Sequence, residues 1–317
     1  MKSLTIKSAP TTSSVSAPSH AVLCTTGETF QLRQVHSSNS IFLIQPSQPN
    51  DTAEEAFRSP GLCTIAAPKV TLELHRVATS SVPHLRKLIP TFHVQEDGDG
   101  DFEMMTSWPT GFEKRSKQET FAHVPTCEEE CERGWIEIVA FELNGGSMRP
   151  SIWALLSTYK AILSAATSQG IQLDSRFPVE DLWQMIEDDG FPRALVEAVL
   201  ARLAPEEHIT RGEWASIDKS KCIPWLGALI LETEQGSNRE RFASDFLKEW
   251  KDNLPEAWRA SASLDFIKGS YTLKNSTICF YRDGVNTTST TSSTSTGISK
   301  VTSGSRKWHE KFRNTGK

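Results

Sequence analysis

The chain has 317 residues, of which 38% are hydrophobic and 23% are charged, and its formal net charge is −5. This length accommodates two or three domains, and the lean apolar content favours several small cores over one large core. The negative net charge excludes a general polycation, so any contact with nucleic acid must come from a local basic patch. No apolar run approaches the roughly 18 residues that a membrane helix needs, and the opening MKSLTIKSAPTTSSVSAPSH lacks the apolar core of a signal peptide. These features predict an intracellular protein with reduced thiols.

Short strand patterns dominate residues 1–92. The run AVLCTTGETFQLRQVHSSNSIFLIQ predicts strands over 21–24, 30–35 and 40–45, and LCTIAAPKVTLELHRV (62–77) predicts more strand. This β domain is too small to close a barrel alone, and open strand edges favour pairing with a partner strand. The candidate partner-binding residues are the apolar side chains of the second and third predicted strands: Phe30, Leu32, Val35, Ile41 and Leu43.

An acidic segment, QEDGDGDFE (95–103), falls within a predicted linker over 93–112. Its three aspartates have the spacing that opens a calcium-binding loop. The sixth position, which should be glycine, is Phe102, and the twelfth, which should be glutamate, is Trp108. The segment is therefore interpreted as a solvated loop.

From residue 113 onwards, the chain repeats a plan of two helices followed by a short strand pair. Two runs carry it, PVEDLWQMIEDDGFPRALVEAVLARLA (178–204) and FLKEWKDNLPEAWRASASLDFIKGSYTLKNSTICFYR (246–282). Such a series is typical of winged-helix domains, which hold partners or nucleic acid and seldom carry a reaction. The predicted units are a reduced first unit over 113–168, a second winged helix over 169–236 and a third over 237–283. The predicted fold class is therefore α+β, a small β domain followed by tandem winged helices.

Two helix predictions within these units are specific enough to test. Apolar residues spaced three or four apart predict one helix from Thr126 to Leu143, ended by Asn144-Gly145-Gly146. In the last unit a second helix is predicted from Trp258 to Ile267, followed by a hairpin around Asn275. The tryptophans at apolar positions are assigned to helical or strand cores: Trp135, Trp153, Trp183, Trp214, Trp225, Trp250 and Trp258.

Residues 284–317 are predicted to be disordered, since residues 287–296 are all Ser or Thr. The final run, SRKWHEKFRNTGK, is basic and aromatic, a combination that can neutralise phosphates and stack a base. A solvated tail, or a basic helix that docks on a protein, are the alternatives. The candidate DNA-binding residues are Arg306, Lys307, Trp308, Lys311 and Arg313.

The sequence contains only weak signals of a metal-binding or catalytic site. Cys127 and Cys131 in CEEEC lack two further soft ligands at a matching spacing, and a solvated helix face explains the glutamates better than zinc does. His36 stands beside two serines, but a hydrolase also needs an orienting acid and an oxyanion hole. The chain contains no P-loop, GxSxG, HExxH or GxGxxG motif. The sequence therefore predicts a protein that is not an enzyme and uses no cofactor.

Four runs, in the same order along the chain, resemble the defective-in-sister-chromatid-cohesion (Dcc-type) subunit of the alternative, cohesion-linked replication factor C clamp loader. They are AVLCTTGETFQLRQVHSSNSIFLI (21–44), LELHRVATSSVPHLRKLIP (72–90), SKQETFAHVPTCEEECERGW (116–135) and FLKEWKDNLPEAWRASASLDFIKGSY (246–271). The resemblance spans about residues 4–282.

This resemblance implies a nuclear, non-catalytic subunit. Its β domain would complete an intermolecular β-barrel with the small and large cohesion-specific subunits of the clamp loader. Its winged helices would bind the catalytic subunit of DNA polymerase epsilon and touch DNA, and the loader would then place the sliding clamp near that polymerase. The residues leave two alternatives, a free-standing winged-helix transcription regulator and an unrecognised hydrolase that uses His36. The candidate recognition helix (194–204), however, offers only Arg202 and the preceding Arg193.

Overall fold

The computed structural model describes residues 4–8, 21–36, 39–47, 61–96, 102–104, 108–205, 213–233, 241–274 and 277–280. The strands in chain order are β1 (Thr5–Lys7), β2 (Val22–Cys24), β3 (Thr29–Val35), β4 (Leu43–Ser47), β5 (Gly61–Ala66), β6 (Thr71–Val77), β7 (Thr91–Phe92), β8 (Val94–Glu96), β9 (Phe102–Met104), β10 (Phe141–Leu143), β11 (Gly146–Pro150), β12 (Phe177–Pro178), β13 (Trp214–Ala215), β14 (Arg241–Phe242), β15 (Tyr271–Lys274) and β16 (Thr277–Phe280). The helices are α1 (Val82–Leu88), α2 (Lys117–Ala122), α3 (Glu128–Glu137), α4 (Ile152–Gln169), α5 (Val179–Ile186), α6 (Arg193–Leu203), α7 (Lys219–Thr233) and α8 (Ala243–Asp252). The predicted α+β class, with strands first and helices after them, is confirmed. In the described ranges no helix is long and apolar enough to cross a membrane.

The N-terminal strands form a four-stranded antiparallel sheet in the order β1-β2-β3-β6. Its longest pairing joins β3 to β6 over seven residues. β4 and β5 pair separately. The strands of the described ranges do not close into a barrel. The predicted strand stretch over 62–77 is split between these two sheets, because Pro68 interrupts it and proline cannot donate a ladder hydrogen bond.

Beyond β6, one order of elements recurs three times: helix, strand, helix, helix, strand. With the β8–β9 pair left aside, it reads α1-β7-α2-α3-β10-β11 and then α4-β12-α5-α6-β13. The third copy is α7-β14-α8 followed by β15-β16, with two 3-10 segments in place of the last α-helix. In the first and third recurrences the strand that follows the opening helix pairs with the last strand, giving the orders β7-β11-β10 and β14-β16-β15. The second has the two-stranded sheet β12-β13.

The helix predicted from Thr126 to Leu143 is wrong in its second half. α3 ends at Glu137, and β10 and β11 form a hairpin instead. The turn of this hairpin is Asn144-Gly145, with φ of 52° and 79°. Left-handed backbone at both central residues is what a tight hairpin turn requires, and Asn-Gly supplies it at little cost. The turn chemistry therefore prevailed over an apolar spacing that also fits a helix.

Two other sequence assignments need correction. The helix predicted over 258–267 consists of two 3-10 segments, Glu256–Ser261 and Leu264–Ile267. They are separated at Ser263, whose hydroxyl accepts a hydrogen bond from the Asp265 N–H. The ends of the acidic segment are paired strands, β8 and β9, rather than loop. The predicted hairpin of β15 and β16 is confirmed.

The helical part has one continuous apolar core that runs from Phe92 in β7 to Ile267. A smaller cluster beside it holds α1 against α3 and contains Trp135. Trp250 and Trp258 are buried and Trp183 and Trp225 are partly buried, as predicted. Two tryptophans differ from the expectation, since Trp153 is 58% exposed and Trp214 is 43% exposed.

Helices α7 and α8 come into close contact in this core at a glycine of α7. Trp250 is fully buried and its indole N–H donates to the Ile223 carbonyl at 3.1 Å. A Cβ placed on Gly227 would lie 2.5 Å from the Trp250 Cζ2 atom. The glycine is therefore needed for the indole to lie flat against α7.

We expect Gly227→Ala to lower the free energy of unfolding by about 1–2 kcal/mol. Overpacking a core costs about 1–3 kcal/mol, and the better helix propensity of alanine returns up to about 1 kcal/mol. Equilibrium denaturation with urea measures this. The control is the same substitution in a Trp250→Phe background, where the smaller ring should reduce its cost. An equal cost in both backgrounds would show that the indole is not the constraint.

A buried thiol and phenol also meet in this core. The Cys222 Sγ donates to the Tyr159 Oη at 3.3 Å. Burial raises the pKa of Cys222 to about 12 and raises the pKa of Tyr159 well above its ordinary value. Both groups are therefore neutral in the folded protein at physiological pH.

The free energy of unfolding should fall as pH rises above about 8.5, the pKa of an unfolded cysteine. The unfolded chain then releases the Cys222 proton while the folded protein keeps it up to about pH 12. The contribution of the protonated Cys222 thiol to the free energy of unfolding is complete below about pH 8.5. Above that pH it decreases by up to about 1.4 kcal/mol per pH unit. Denaturation at pH 8 to 11 should show a shallower slope for Cys222→Ala than for the wild type. Cys63→Ala, at an exposed thiol, should keep the wild-type slope, and a Cys222→Ala slope equal to wild type would contradict the assignment.

Candidate partner-binding surface

One face of the four-stranded sheet is apolar and largely uncovered. Leu32 of β3 lies directly opposite Leu74 of β6, and Leu23 of β2 lies opposite Phe30 of β3. Because strand side chains alternate between faces, these residues share one side of the sheet. This surface, called here the apolar face, consists of Ile6, Leu23, Phe30, Leu32, Leu72 and Leu74. An uncovered apolar patch of this kind marks an interaction site on a folded protein.

The exposure increases towards the two edge strands. Ile6 of β1 is 66% exposed, Leu72 of β6 is 52% exposed and Leu74 is 49% exposed. Leu23 and Leu32, on the central strands, are half-buried. Within the described residues both β1 and β6 have one neighbour only. The unpaired backbone groups of such edges can accept a further strand.

The β4–β5 pair presents more apolar surface. Ile44 and Ile65 are each more than half exposed, and Leu62 is 71% exposed. The residues that lead into β4 continue the pattern, since Ile41 and Phe42 are exposed as well. Leaving such side chains in water forgoes about 1.5–3 kcal/mol for each one that a partner could bury.

The opposite face of the sheet is held on the first helical unit by hydrogen bonds. The Lys7 ammonium donates to the carbonyls of Phe121 and Thr126, each at 2.9 Å. The Cys127 N–H donates to the Thr29 hydroxyl at 2.8 Å, and the Glu129 N–H donates to the Thr26 carbonyl at 3.1 Å. These four contacts are called here the junction.

Apolar packing supports the junction. Val22 and Cys24 on the covered face pack against Cys127, and all three are buried. Burial raises the pKa of the Cys24 and Cys131 thiols. The Cys24 and Cys131 thiols are therefore neutral packing groups, and Glu128 and Glu129, which lie between Cys127 and Cys131 in the chain, face solvent.

A cavity of about 270 Å³ lies beside the junction, between the sheet, the segment 78–80 and the start of α3. Two ion pairs stand at this cavity, Arg76 with Glu28 at 3.2 Å and Arg133 with Glu130 at 2.7 Å. Since each arginine is already paired with a carboxylate and is largely exposed, the cavity is not a built anion site.

The structure separates the predicted partner-binding residues. Phe30 and Leu32 are on the apolar face, Ile41 and Leu43 are exposed before and within β4, and Val35 is on the covered face of the sheet. The sequence prediction missed four members of the apolar face: Ile6, Leu23, Leu72 and Leu74. The alternation in TLELHRV, with leucines two apart, was a signal that could have identified the last two.

The structure adds little support for the candidate DNA-binding and catalytic residues. The predicted DNA-binding residues of the tail are outside the described ranges, as are the serines beside His36. The His36 Nε2 is 3.1 Å from the Gln34 amide nitrogen. On α6, Arg193 pairs with Glu180 at 3.0 Å and with Glu197 at 2.9 Å. That pairing weakens the alternative of a sequence-specific duplex reader, because a recognition helix needs cations that are available to DNA.

The family model of sister chromatid cohesion protein Dcc1 matches residues 1–283. No curated protein sequence matches the chain. The matched range contains the whole sheet, the junction and the three helical recurrences. The match indicates a role in sister chromatid cohesion as a subunit of a cohesion-linked protein complex, and therefore protein partners and an association with chromatin. The predicted resemblance is thus confirmed, and the chain belongs to the sister chromatid cohesion protein Dcc1 family.

Proposed function

We propose that this protein is the non-catalytic subunit of the cohesion-linked clamp loader that joins the loader to the leading-strand DNA polymerase in the nucleus. The proposal rests on the apolar face. A sheet with one exposed apolar side lacks the packing partner that would bury that side in a core. The family match supports the cohesion complex as its setting. The sliding clamp enters only indirectly, as the cargo of the assembled loader.

The small and large cohesion-specific subunits are the proposed occupants of the apolar face. Their strands would pair with the free edges of β1 and β6, and their apolar side chains would cover Leu72 and Leu74. Strand addition to an open edge gives affinity through backbone hydrogen bonds, and the side chains give specificity. The product would be the intermolecular β-barrel that the described strands of this chain do not close by themselves.

The three helical recurrences are proposed to be winged helices that hold the catalytic subunit of DNA polymerase epsilon. The strand orders β7-β11-β10 and β14-β16-β15 support this, since each places the strand after the opening helix beside the last strand of the hairpin. The order of elements suggests boundaries that differ from the sequence prediction. α4, which the predicted boundaries assign to the first unit, opens the second unit, and α7, which they assign to the second, opens the third.

Leu74→Glu should weaken binding of the co-expressed small and large cohesion-specific subunits by about 100-fold, which corresponds to about 2.7 kcal/mol. The substitution places a charge where the partner must bury an apolar side chain, and an unpaired charge resists burial. Co-purification on the tagged chain, followed by titration, measures the change. Since Leu74 is half exposed in the chain alone, its folding should be preserved.

The matched control is Thr71→Glu, which adds the same charge to the same strand on the other face. It should leave the affinity for both subunits close to wild type. Equal losses in the two variants, or full binding by Leu74→Glu, would show that the apolar face is not the interface.

Contact with DNA is proposed for the basic tail residues Arg306, Lys307, Lys311 and Arg313, with Trp308 stacking on a base. The charge composition of this run supports the proposal. Cations that neutralise phosphates give affinity that falls with salt, and aromatic rings add stacking on single strands.

The triple substitution Lys307→Ala, Lys311→Ala and Arg313→Ala should reduce the slope of log K against log salt for duplex DNA by about 2–3, because each lost phosphate contact removes about 0.9. Fluorescence anisotropy across a salt series measures the slope. Lys69→Ala, Lys160→Ala and Lys248→Ala remove the same charge from exposed positions elsewhere and should leave it unchanged. An unchanged slope in the tail variant would exclude the tail as the phosphate contact.

A further inference from the structure

The edge strand β1 touches both the proposed partner surface and the first helical unit. Its adjacent residues Ile6 and Lys7 point to opposite faces of the sheet. Ile6 belongs to the apolar face and is 66% exposed. Lys7 turns to the covered face, where its ammonium holds the carbonyls of Phe121 and Thr126. One three-residue strand therefore joins the two surfaces.

The helical side of this connection depends on the sheet. The first N–H groups of a helix have no partner within the helix and need acceptors from outside. In α3, the N-cap residue Cys127 makes no capping hydrogen bond with its side chain. The acceptors come instead from β3, where the Thr29 hydroxyl accepts from the Cys127 N–H, and from the turn between β2 and β3, where the Thr26 carbonyl accepts from the Glu129 N–H. The hydrogen bonds at the start of α3 therefore form only while the sheet stays in place against it.

β1 itself is weakly held in the chain alone. It pairs with β2 over three residues, and its outer edge has no neighbour within the described residues. A short strand with a single neighbour and an exposed apolar side chain opens locally far more easily than a core strand does. A partner that covers Ile6 or pairs with this edge would remove that freedom.

We propose that β1 transmits subunit assembly to the helical units, an inference that rests on the proposed function of the apolar face. Partner binding fixes β1 through Ile6 and its free edge. The fixed strand then holds Lys7 on the carbonyls of Phe121 and Thr126, and this steadies the α2–α3 segment and the start of α3. The helical units are therefore held rigidly on the sheet only after the loader subunits are bound.

Amide hydrogen exchange on the full chain, alone and in complex with the co-expressed small and large cohesion-specific subunits, tests the proposal. In the wild type, the amides of residues 121–131 should exchange roughly 10-fold more slowly in the complex than in the free chain. Lys7→Met keeps the length of the side chain and removes its donors. It should still co-purify with the subunits, because the Lys7 side chain faces away from the apolar face, and should lose most of this slowing.

Two further variants keep the result interpretable. Lys69→Met removes an exposed lysine from the loop before β6 and should behave as wild type. Thr29→Val removes the acceptor of the Cys127 N–H and leaves β1 intact. It should speed exchange at the Cys127 amide in both states while residues 121–126 still slow on assembly.

The outcomes are distinct. If exchange at residues 121–131 of Lys7→Met slows on assembly as much as in the wild type, β1 does not connect the apolar face to the helical units. The same conclusion holds if the subunits bind the wild-type chain but exchange at residues 121–131 does not change. Failure of the subunits to co-purify with the wild-type chain would instead remove the proposed function, together with this inference. That result appears at purification, before any exchange is measured.

Discussion

The antiparallel pairing of β3 with β6 is the constraint on which the rest of the structure depends. It places Leu32 opposite Leu74 and Thr29 opposite Val77, and the two-residue period of a strand sends these pairs to different faces. A shift of one residue would exchange the faces and bring the apolar side chains onto α3. The register thus decides which side of the sheet packs on the helices and which side keeps its apolar side chains exposed.

The contact on the covered side is small. Lys7, Thr26 and Thr29 supply the hydrogen bonds of the junction, and Val22, Cys24 and Cys127 supply the only buried apolar cluster at this contact within the described residues. The helical units are joined differently, because a single apolar core passes through β7, β11, α4, α7 and α8. The sheet is therefore attached to the helices at one corner, whereas the helical units are packed on one another.

Sequence reasoning could establish the class of the fold, the strands around Gly27 and the hairpin of β15 and β16, since these carry strong local signals. It failed where two signals conflicted. Val139 and Leu143 continue the spacing of α3, yet Asn144-Gly145 forms the turn of a hairpin, and only the structure shows that the turn prevails. The apolar face was found in part. Phe30 and Leu32 stand out in a strand pattern, but whether Val35 shares their face depends on a pairing register, which no single strand contains. Exposure at Trp153 and Trp214 likewise depends on which elements pack against them.

The unbroken helical core has a consequence for how two bound partners would be arranged. A flexible connection lets the bodies at its two ends sample many separations, and their effective concentration is averaged over all of them. A packed connection permits one separation and one orientation. The contact of Gly227 with the Trp250 indole is part of this packing, since even a methyl group on Gly227 would clash with the ring. The two ends of the helical array are therefore separated by a distance that core packing sets.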